Sequence, residues 1–402
     1  MSLPRGRPVR VLLAINSLGT GGTERSVSEL VVPLRERDIE ITFACLESHP
    51  GVEDIVRRSG IRVDVLGTRS PRAVIPALHR MIRELKPDLV HTALFESDVF
   101  ARIAAVGSGV PVLGSLVNTG YEPERLIDPG VRRSRLEAAR FVDGWTGRHL
   151  ADHFHAVSHA AKASAERRLG FDARRITVVE RGRDPQRLGV AGRQRRLRVR
   201  DELEIDDSCE LLLTVGRHEY QKDHRCLIEA VGRLADRKDL LVLIAGRTGN
   251  ATPDVTSALA NSPGGKRVRL LGHRDDIPDL LAAADLFVST SRFEGLPGAV
   301  IEAMALGLPV VATSIPPVRE VVEPGANAEL FDPGDSEALA AIVRKLLDQP
   351  DRRSDMGARS REIFLARFTL ERSAELMADL YREVAARGRR RRRPQSESSV
   401  SG

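Results

Sequence analysis

Two carboxylates, Glu294 and Glu302, flank the short run Gly295-Leu296-Pro297-Gly298. A strand ending near Thr290 is expected before them. A helix from about Gly298 to Leu306 follows, closed by Gly307 with Pro309 beyond. The spacing puts Glu294 in the loop and Glu302 about one turn inside the helix. Both can accept hydrogen bonds from the hydroxyls of one polyhydroxylated ligand. Gly295 and Gly298 let backbone approach such a ligand closely, and the N–H groups of a helix start suit a phosphate. The same placement also fits a solvated loop Glu beside a Glu favoured by the helix dipole. Upstream lies Val215-Gly216-Arg217-His218-Glu219-Tyr220-Gln221-Lys222-Asp223. It follows a strand and opens a helix that Asp223 is expected to N-cap. Arg217 and Lys222 are thus cations in a strand-to-helix loop, where they can clamp a diphosphate.

The elements that must hold these residues alternate strand and helix. Strands are expected over 9–15, 40–45, 110–116 and 153–157, with a helix over 24–37 after the glycine-rich turn Gly19-Thr20-Gly21-Gly22. Alternation breaks over 184–200, which reads as a linker or a hinge-side helix. It resumes with strands over 211–215, 240–245, 268–271, 286–290 and 309–313 and helices over 224–234 and 335–347. This predicts α/β architecture, two doubly wound Rossmann-like domains facing a central cleft, with ligands at the carboxyl strand ends. The expected layout is a first domain over 1–185 and a second over 186–368. A terminal helix over 369–388 packs back on the first domain and ends at Gly388, before a disordered basic tail over 389–402.

Composition narrows the classes. The chain has 402 residues, 42% hydrophobic and 29% charged, a globular balance. No apolar run is long enough for a membrane span. The stretch over 11–15 is too short for a signal-peptide core. Cys45, Cys209 and Cys226 are widely spaced, so a reducing, cytoplasmic setting is expected. The net charge of +6 is localised: residues 387–402 carry six Arg and one Glu, and residues 181–200 carry eight Arg and one Asp. The remainder is net acidic, which argues against a nucleic-acid partner. The run Arg389 to Arg393 reads either as a solvated end or as a peripheral contact with anionic membrane. His153 and His155 would share one strand face, yet no Cys or carboxylate cluster joins them, so no metal is expected. Gly19-Thr20-Gly21-Gly22 is not a dinucleotide fingerprint.

Together the residues carry a resemblance. VGR-x4-K, then FEGLP-x3-IEAMA-x-G-x-PVVAT with Glu-x7-Glu, resembles the retaining GT-B glycosyltransferases of family 4. Gly19 to Glu24, Ala156-Val157-Ser158, and Arg274 before Ala283-Ala284-Asp285-Leu286 extend the likeness over nearly all of 9–386. The resemblance implies transfer of a glycosyl unit from a nucleotide sugar to a saccharide, lipid-linked or metabolite hydroxyl, with no cofactor and no metal. It implies that Arg217 and Lys222 bind the donor diphosphate, Glu294 the donor sugar and Glu302 the ribose. Gly295, Leu296, Pro297 and Gly298 would help hold sugar and phosphate, Arg274 would lie near the nucleotide, and Gly21 and Gly22 would close over the diphosphate. Three positions depart from the pattern: Asp223 stands where Gly is frequent, Asn118 where a histidine is frequent, and Glu180-Arg181-Gly182-Arg183-Asp184 replaces Pro-Asn-Gly-x-Asp. Asn118 can still meet an acceptor hydroxyl but cannot shuttle a proton. Hydrolysis or epimerisation of a nucleotide sugar, and a non-catalytic sugar-binding role, are the alternative readings.

Overall fold

The computed structural model describes residues 7–392. The strands are β1 (Val9–Ile15), β2 (Ile39–Cys45), β3 (Arg62–Val65), β4 (Leu89–Ala93), β5 (Val112–Leu116), β6 (His153–Ala156), β7 (Ile176–Val178), β8 (Glu210–Val215), β9 (Leu240–Ala245), β10 (Val268–Gly272), β11 (Leu286–Ser289), β12 (Val310–Thr313) and β13 (Ala328–Phe331). They form two sheets, ordered β3-β2-β1-β4-β5-β6-β7 and β10-β9-β8-β11-β12-β13. The pairings are parallel. β1, β8, β9 and β11 are near-continuous apolar runs because helices cover both faces of such a sheet.

The chain divides into two compact units. Among the described residues the first holds 7–121, 134–182 and 370–392; the second holds 122–133 and 183–369. Residues 122–133 lie within the span expected for the first domain but pack with the second unit. There the Arg125 guanidinium lies over the Phe293 ring, 5.9 Å from its centroid, and Asp128 accepts a hydrogen bond from Asn250.

In the first unit the core gathers Leu13, Phe43, Leu89 and Leu113 with Met377, Tyr381 and Val384 of the helix Leu370–Arg392. Buried His91 ties that helix to the sheet: its Nδ1 lies 2.7 Å from the Tyr381 hydroxyl and its Nε2 2.6 Å from Ser115 Oγ. The helix does not end at Gly388. A Cβ there would lie 2.6 Å from Pro111, so this glycine serves close packing and helix continues to Arg392. Residues 389–392, expected to be disordered, are therefore helical; residues 393–402 lie outside the described residues.

The arginine-rich stretch folds as a helix, Arg193–Glu202, and not as a linker. Its Arg200 is 1% exposed. The guanidinium donates to the carbonyls of Ala283 (3.0 Å) and Cys209 (2.8 Å) and to Asp285 (2.8 Å), so one buried cation ties several loop ends together.

Candidate active site

In the second unit β8 lies between β9 and β11, and the chain crosses to opposite sides of it. That is a topological switch point, and the loops after β8 and β11 must diverge around a crevice. Leu212 and Leu213 pair with Leu286 and Phe287, which brings those two loops side by side.

Their side chains close on each other. Lys222 Nζ donates to Glu294 Oε1. Gln221 Nε2 donates to Glu294 Oε2 (3.2 Å) and to the Phe293 carbonyl (2.8 Å). Thr290 Oγ1 donates to the Lys222 carbonyl (2.7 Å), and the Arg292 N–H to the Gln221 carbonyl (2.8 Å). Glu294 is only 8% exposed. A half-buried ion pair says little about stability. Its value is orientation: an ammonium and a carboxylate are fixed where a ligand's charge and hydroxyls could meet them.

Arg217 is not drawn into this pair. Its side chain is more than half exposed and lies 3.2 Å from Glu219. Asp223 does not cap the following helix with its side chain. It sits in the left-handed region, φ 44 and ψ 48, and its carboxylate meets Arg292 Nε at 2.7 Å. Left-handed backbone is where glycine is easiest and Asp is tolerated. Burial raises the Asp223 carboxyl above its ordinary range.

Beneath the loop two buried imidazoles stand edge to face, His218 and His224, with ring centroids 5.6 Å apart. His224 Nε2 lies 3.1 Å from the Gly216 carbonyl. Burial lowers both, His224 to about 4, so both are neutral at pH 7. Their packing role was not readable from sequence; the one signal was imidazoles alternating with the cations.

The helix Gly298–Ala305 begins after buried Gly295, Leu296 and Pro297, with no side-chain cap. Glu302 Oε1 accepts from Arg183 Nε at 2.7 Å, and both side chains are buried. A Cβ on Gly298 would collide with the Arg183 guanidinium. Gly298 thus admits Arg183 to the helix start, where the sequence suggested room for a ligand. Arg183 meets the candidate Glu302 although the sequence analysis gave it no role; its signal was the altered charge of the 180–184 turn. Its cation adds to the positive end of the helix. Arg274 stands apart, after β10, with Nε donating to Asp276 at 2.7 Å; that bond raises its pKa.

The first unit has its own switch point, between β1 and β4. Asn16 Nδ2 donates to Glu96 Oε2 at 2.5 Å, and Asn16 Oδ1 accepts from Ser97 N (3.2 Å) and Oγ (2.8 Å). None of these three was singled out from sequence. Gly21 is extended and Gly22 starts the helix Gly22–Arg35. Asn118 is exposed after β5, and its Oδ1 accepts from Gly120 N at 2.8 Å in a local turn. His153 and His155 bond Thr177 Oγ1 (2.8 Å) and the Val179 carbonyl (2.9 Å). Among the described residues no group of three or more His, Cys, Asp or Glu could hold a metal.

Two Rossmann-like units, the second with a cation and a carboxylate locked at its switch point, define an enzyme of the GT-B class. The comparisons agree. Residues 196–363 match the family described as glycosyl transferases group 1, and residues 21–182 a glycosyl transferase 4-like domain. The chain is 30% identical to alpha-maltose-1-phosphate synthase of Mycolicibacterium smegmatis over 74% of this chain and 79% of that one. It is 27% identical to alpha-D-kanosaminyltransferase of Streptomyces kanamyceticus over 69% and 71%. In fold it is similar to Anabaena HepE in complex with UDP and glucose, with a TM-score of 0.80, 22% identity, and 92% and 98% of the two chains covered. The chain belongs to the group 1, family 4 type glycosyltransferases.

Proposed function

We propose that this glycosyltransferase moves a hexosyl unit from a nucleotide sugar to an acceptor hydroxyl with retention of configuration, binding the donor on the loops after β8 and β11. The observation that carries the reading is the locked Lys222–Glu294 pair. Lys222 meets the diphosphate, joined by Arg217 swinging in from solvent, and together they stabilise charge on the departing nucleotide. Glu294 accepts from hydroxyls of the transferred sugar, and Glu302, steadied by Arg183, accepts from the ribose. Gly295, Leu296, Pro297 and the start of the following helix seat sugar and phosphate. Arg274 reaches the nucleotide only if it leaves Asp276. Gly21 and Gly22 help bind the donor, and Asn118 meets an acceptor hydroxyl. The acceptor hydroxyl attacks on the face the nucleotide leaves, and the leaving phosphate takes its proton. Side-chain cations supply the charge that a divalent metal supplies elsewhere, so turnover should survive EDTA.

Relatives support donor and acceptor class. HepE is seen with UDP-glucose, and an Escherichia coli relative, 25% identical over 87% of this chain and 90% of that one, is a UDP-Gal:alpha-D-GlcNAc-diphosphoundecaprenol galactosyltransferase. The arginine run Arg389 to Arg393 is read as a reversible contact with anionic lipid. Among the described residues no helix is long and apolar enough to cross a membrane.

The test is thermal shift with UDP, GDP and ADP sugars, followed by turnover of the best donor with and without acceptor. Stabilisation by one nucleotide class and product only with acceptor is expected. Free sugar or epimer without acceptor would replace transfer by hydrolysis or epimerisation. Activity lost in EDTA and restored by manganese would overturn the metal-free reading.

A further inference from the structure

The helix Arg133–Leu150 is turned inside out. Its inward residues in the first unit are Asp143, Gly144, Thr146 and Gly147, small or polar. Asp143 is held there by the buried Arg102 guanidinium at 2.6 Å, with Thr146 Oγ1 at 3.2 Å from the same nitrogen. Its apolar residues face out: Phe141 is 66% exposed, Trp145 47% and Val142 39%. Positions 141, 142 and 145 fall on one helical stripe. The next turn adds exposed His149, whose ring lies 5.2 Å from that of Trp145. A helix that buries its polar face through an ion pair and leaves its aromatics outside is not accounted for by the folding of its own unit.

The surroundings of the stripe are net cationic, against one exposed carboxylate of this helix, Glu137, which pairs with Arg140 at 2.7 Å. Arg135 and Arg148 are exposed on the same helix. The helix Leu370–Arg392 also ends near the start of β6. Arg387 lies 3.4 Å from His153 Nδ1, at the start of β6 and three residues after the aromatic helix ends. Gly388 abuts Pro111, just before β5. Exposed Trp and Phe within arginines match the interfacial layer of an anionic bilayer, which takes the rings at headgroup depth and the guanidiniums at its phosphates. A second copy of this equally basic face would be repelled.

We infer that the outward face of the helix Arg133–Leu150 docks an anionic lipid surface, with Phe141 and Trp145 entering the interfacial layer. This deepens the lipid-contact part of the proposed function and is independent of the donor site. It makes lipid binding bipartite, aromatic insertion beside electrostatic attraction.

Trp145 is the single tryptophan of the chain, so its emission reports this face directly. The full chain is titrated with phosphatidylglycerol–phosphatidylcholine vesicles and with phosphatidylcholine vesicles alone. A blue shift with the anionic vesicles only is expected. Phe141→Ser with Trp145→Ser should weaken cosedimentation with anionic vesicles at least tenfold while melting temperature and donor-dependent turnover in detergent-free buffer stay put. Phe141→Leu should retain binding. A chain ending before Arg389 should still show the Trp145 shift, at higher lipid concentration. Three results would overturn the inference: sedimentation with vesicles while Trp145 emission stays fixed, loss of the shift on removing the arginine run, or a lipid-free, concentration-dependent shift accompanied by a dimer mass. A donor that fails to stabilise the protein would leave these readouts unchanged, which separates this inference from the donor-site reading.

Discussion

The two switch points share a topology and differ in chemistry. β1 sits between β2 and β4 as β8 sits between β9 and β11. In each, a carboxylate from the loop or helix after the neighbouring strand meets a side chain that follows the central strand. In the second unit the partner is an ammonium, and Glu294 has a side chain 10% exposed. In the first the partner is the Asn16 amide, and Glu96 is 33% exposed and also 3.3 Å from Arg69. Each carries a residue in a sparsely populated backbone region, Asp223 at φ 44 and Leu94 at φ 78. Strain held at both crevices fits loops shaped for ligands more than for stability. Topology builds the crevice; the side chains decide what it attracts. Cations favour a diphosphate, while an amide and a shared carboxylate favour neutral hydroxyls.

The sharpest way to break that contrast is to remove the charge. Lys222→Ala and Arg217→Ala should each lower kcat about 100-fold or more, the scale of a lost preorganised charge-stabilising group. Glu294→Ala should lower kcat in the same way, and the Lys222/Glu294 double variant should fall little further because the two act as a unit. Near-wild-type rates in all of these would move the donor elsewhere.

Next is Glu302→Ala. It removes the carboxylate that buried Arg183 holds, so about 2 kcal/mol of stability should go, read as a lower urea midpoint. Donor KM should rise with kcat little changed, the mark of uniform binding. Glu302→Gln should be milder, since an amide oxygen still accepts from Arg183. A kcat collapse in Glu302→Ala would exchange its role with that of Glu294.

Of similar size is an acid effect in the first unit. Burial pushes His91 down to about 3. The folded state then holds a neutral ring where the unfolded chain, near pKa 6.5, takes a proton. His91 therefore contributes stability in full above about pH 6.5 and loses it progressively as pH falls towards about 3. Between pH 7 and pH 5 its share of the loss is about 2 kcal/mol. In His91→Asn the drop in urea midpoint over that range should shrink accordingly; an unchanged drop would mean the ring is already protonated or solvated in the fold.

The smallest effect is expected from Asn16→Ala. Acceptor KM should rise roughly tenfold, the loss of one or two hydrogen bonds to a neutral ligand, with donor KM unmoved. A shift in donor KM instead would erase the distinction between the two crevices.

Much of this was legible in the residues themselves. The apolar strands β1, β8, β9 and β11 were readable because both faces of a parallel sheet are covered. The glycine–proline punctuation around residues 295–309 marked loop, helix and exit. Lys222 and Glu294 were legible as loop residues, and the fold brings them together, while Arg217 stays with Glu219 and Glu302 with Arg183. Short elements escaped: β3, β7 and β13 are three or four residues long, too few for a period to show. At 193–202 composition left linker and helix both open, because the helix has almost no apolar stripe and holds through arginine bonds to carbonyls.

Sequence by itself determined which residue types were available and in what local setting, because turn chemistry, helix ends and buried strands depend on neighbours along the chain. Only the tertiary structure decided who meets whom. Lys222 finds Glu294 because β11, and not β9 alone, lies against β8; Arg183 finds Glu302 because a helix start is left open by Gly298. Gly388 looked like a helix stop and is a contact with Pro111, and the helix Arg133–Leu150 looked unexceptional until Arg102 drew Asp143 inward. Parallel strand order and buried ion pairs join residues tens to more than a hundred positions apart, and no local periodicity encodes such distances.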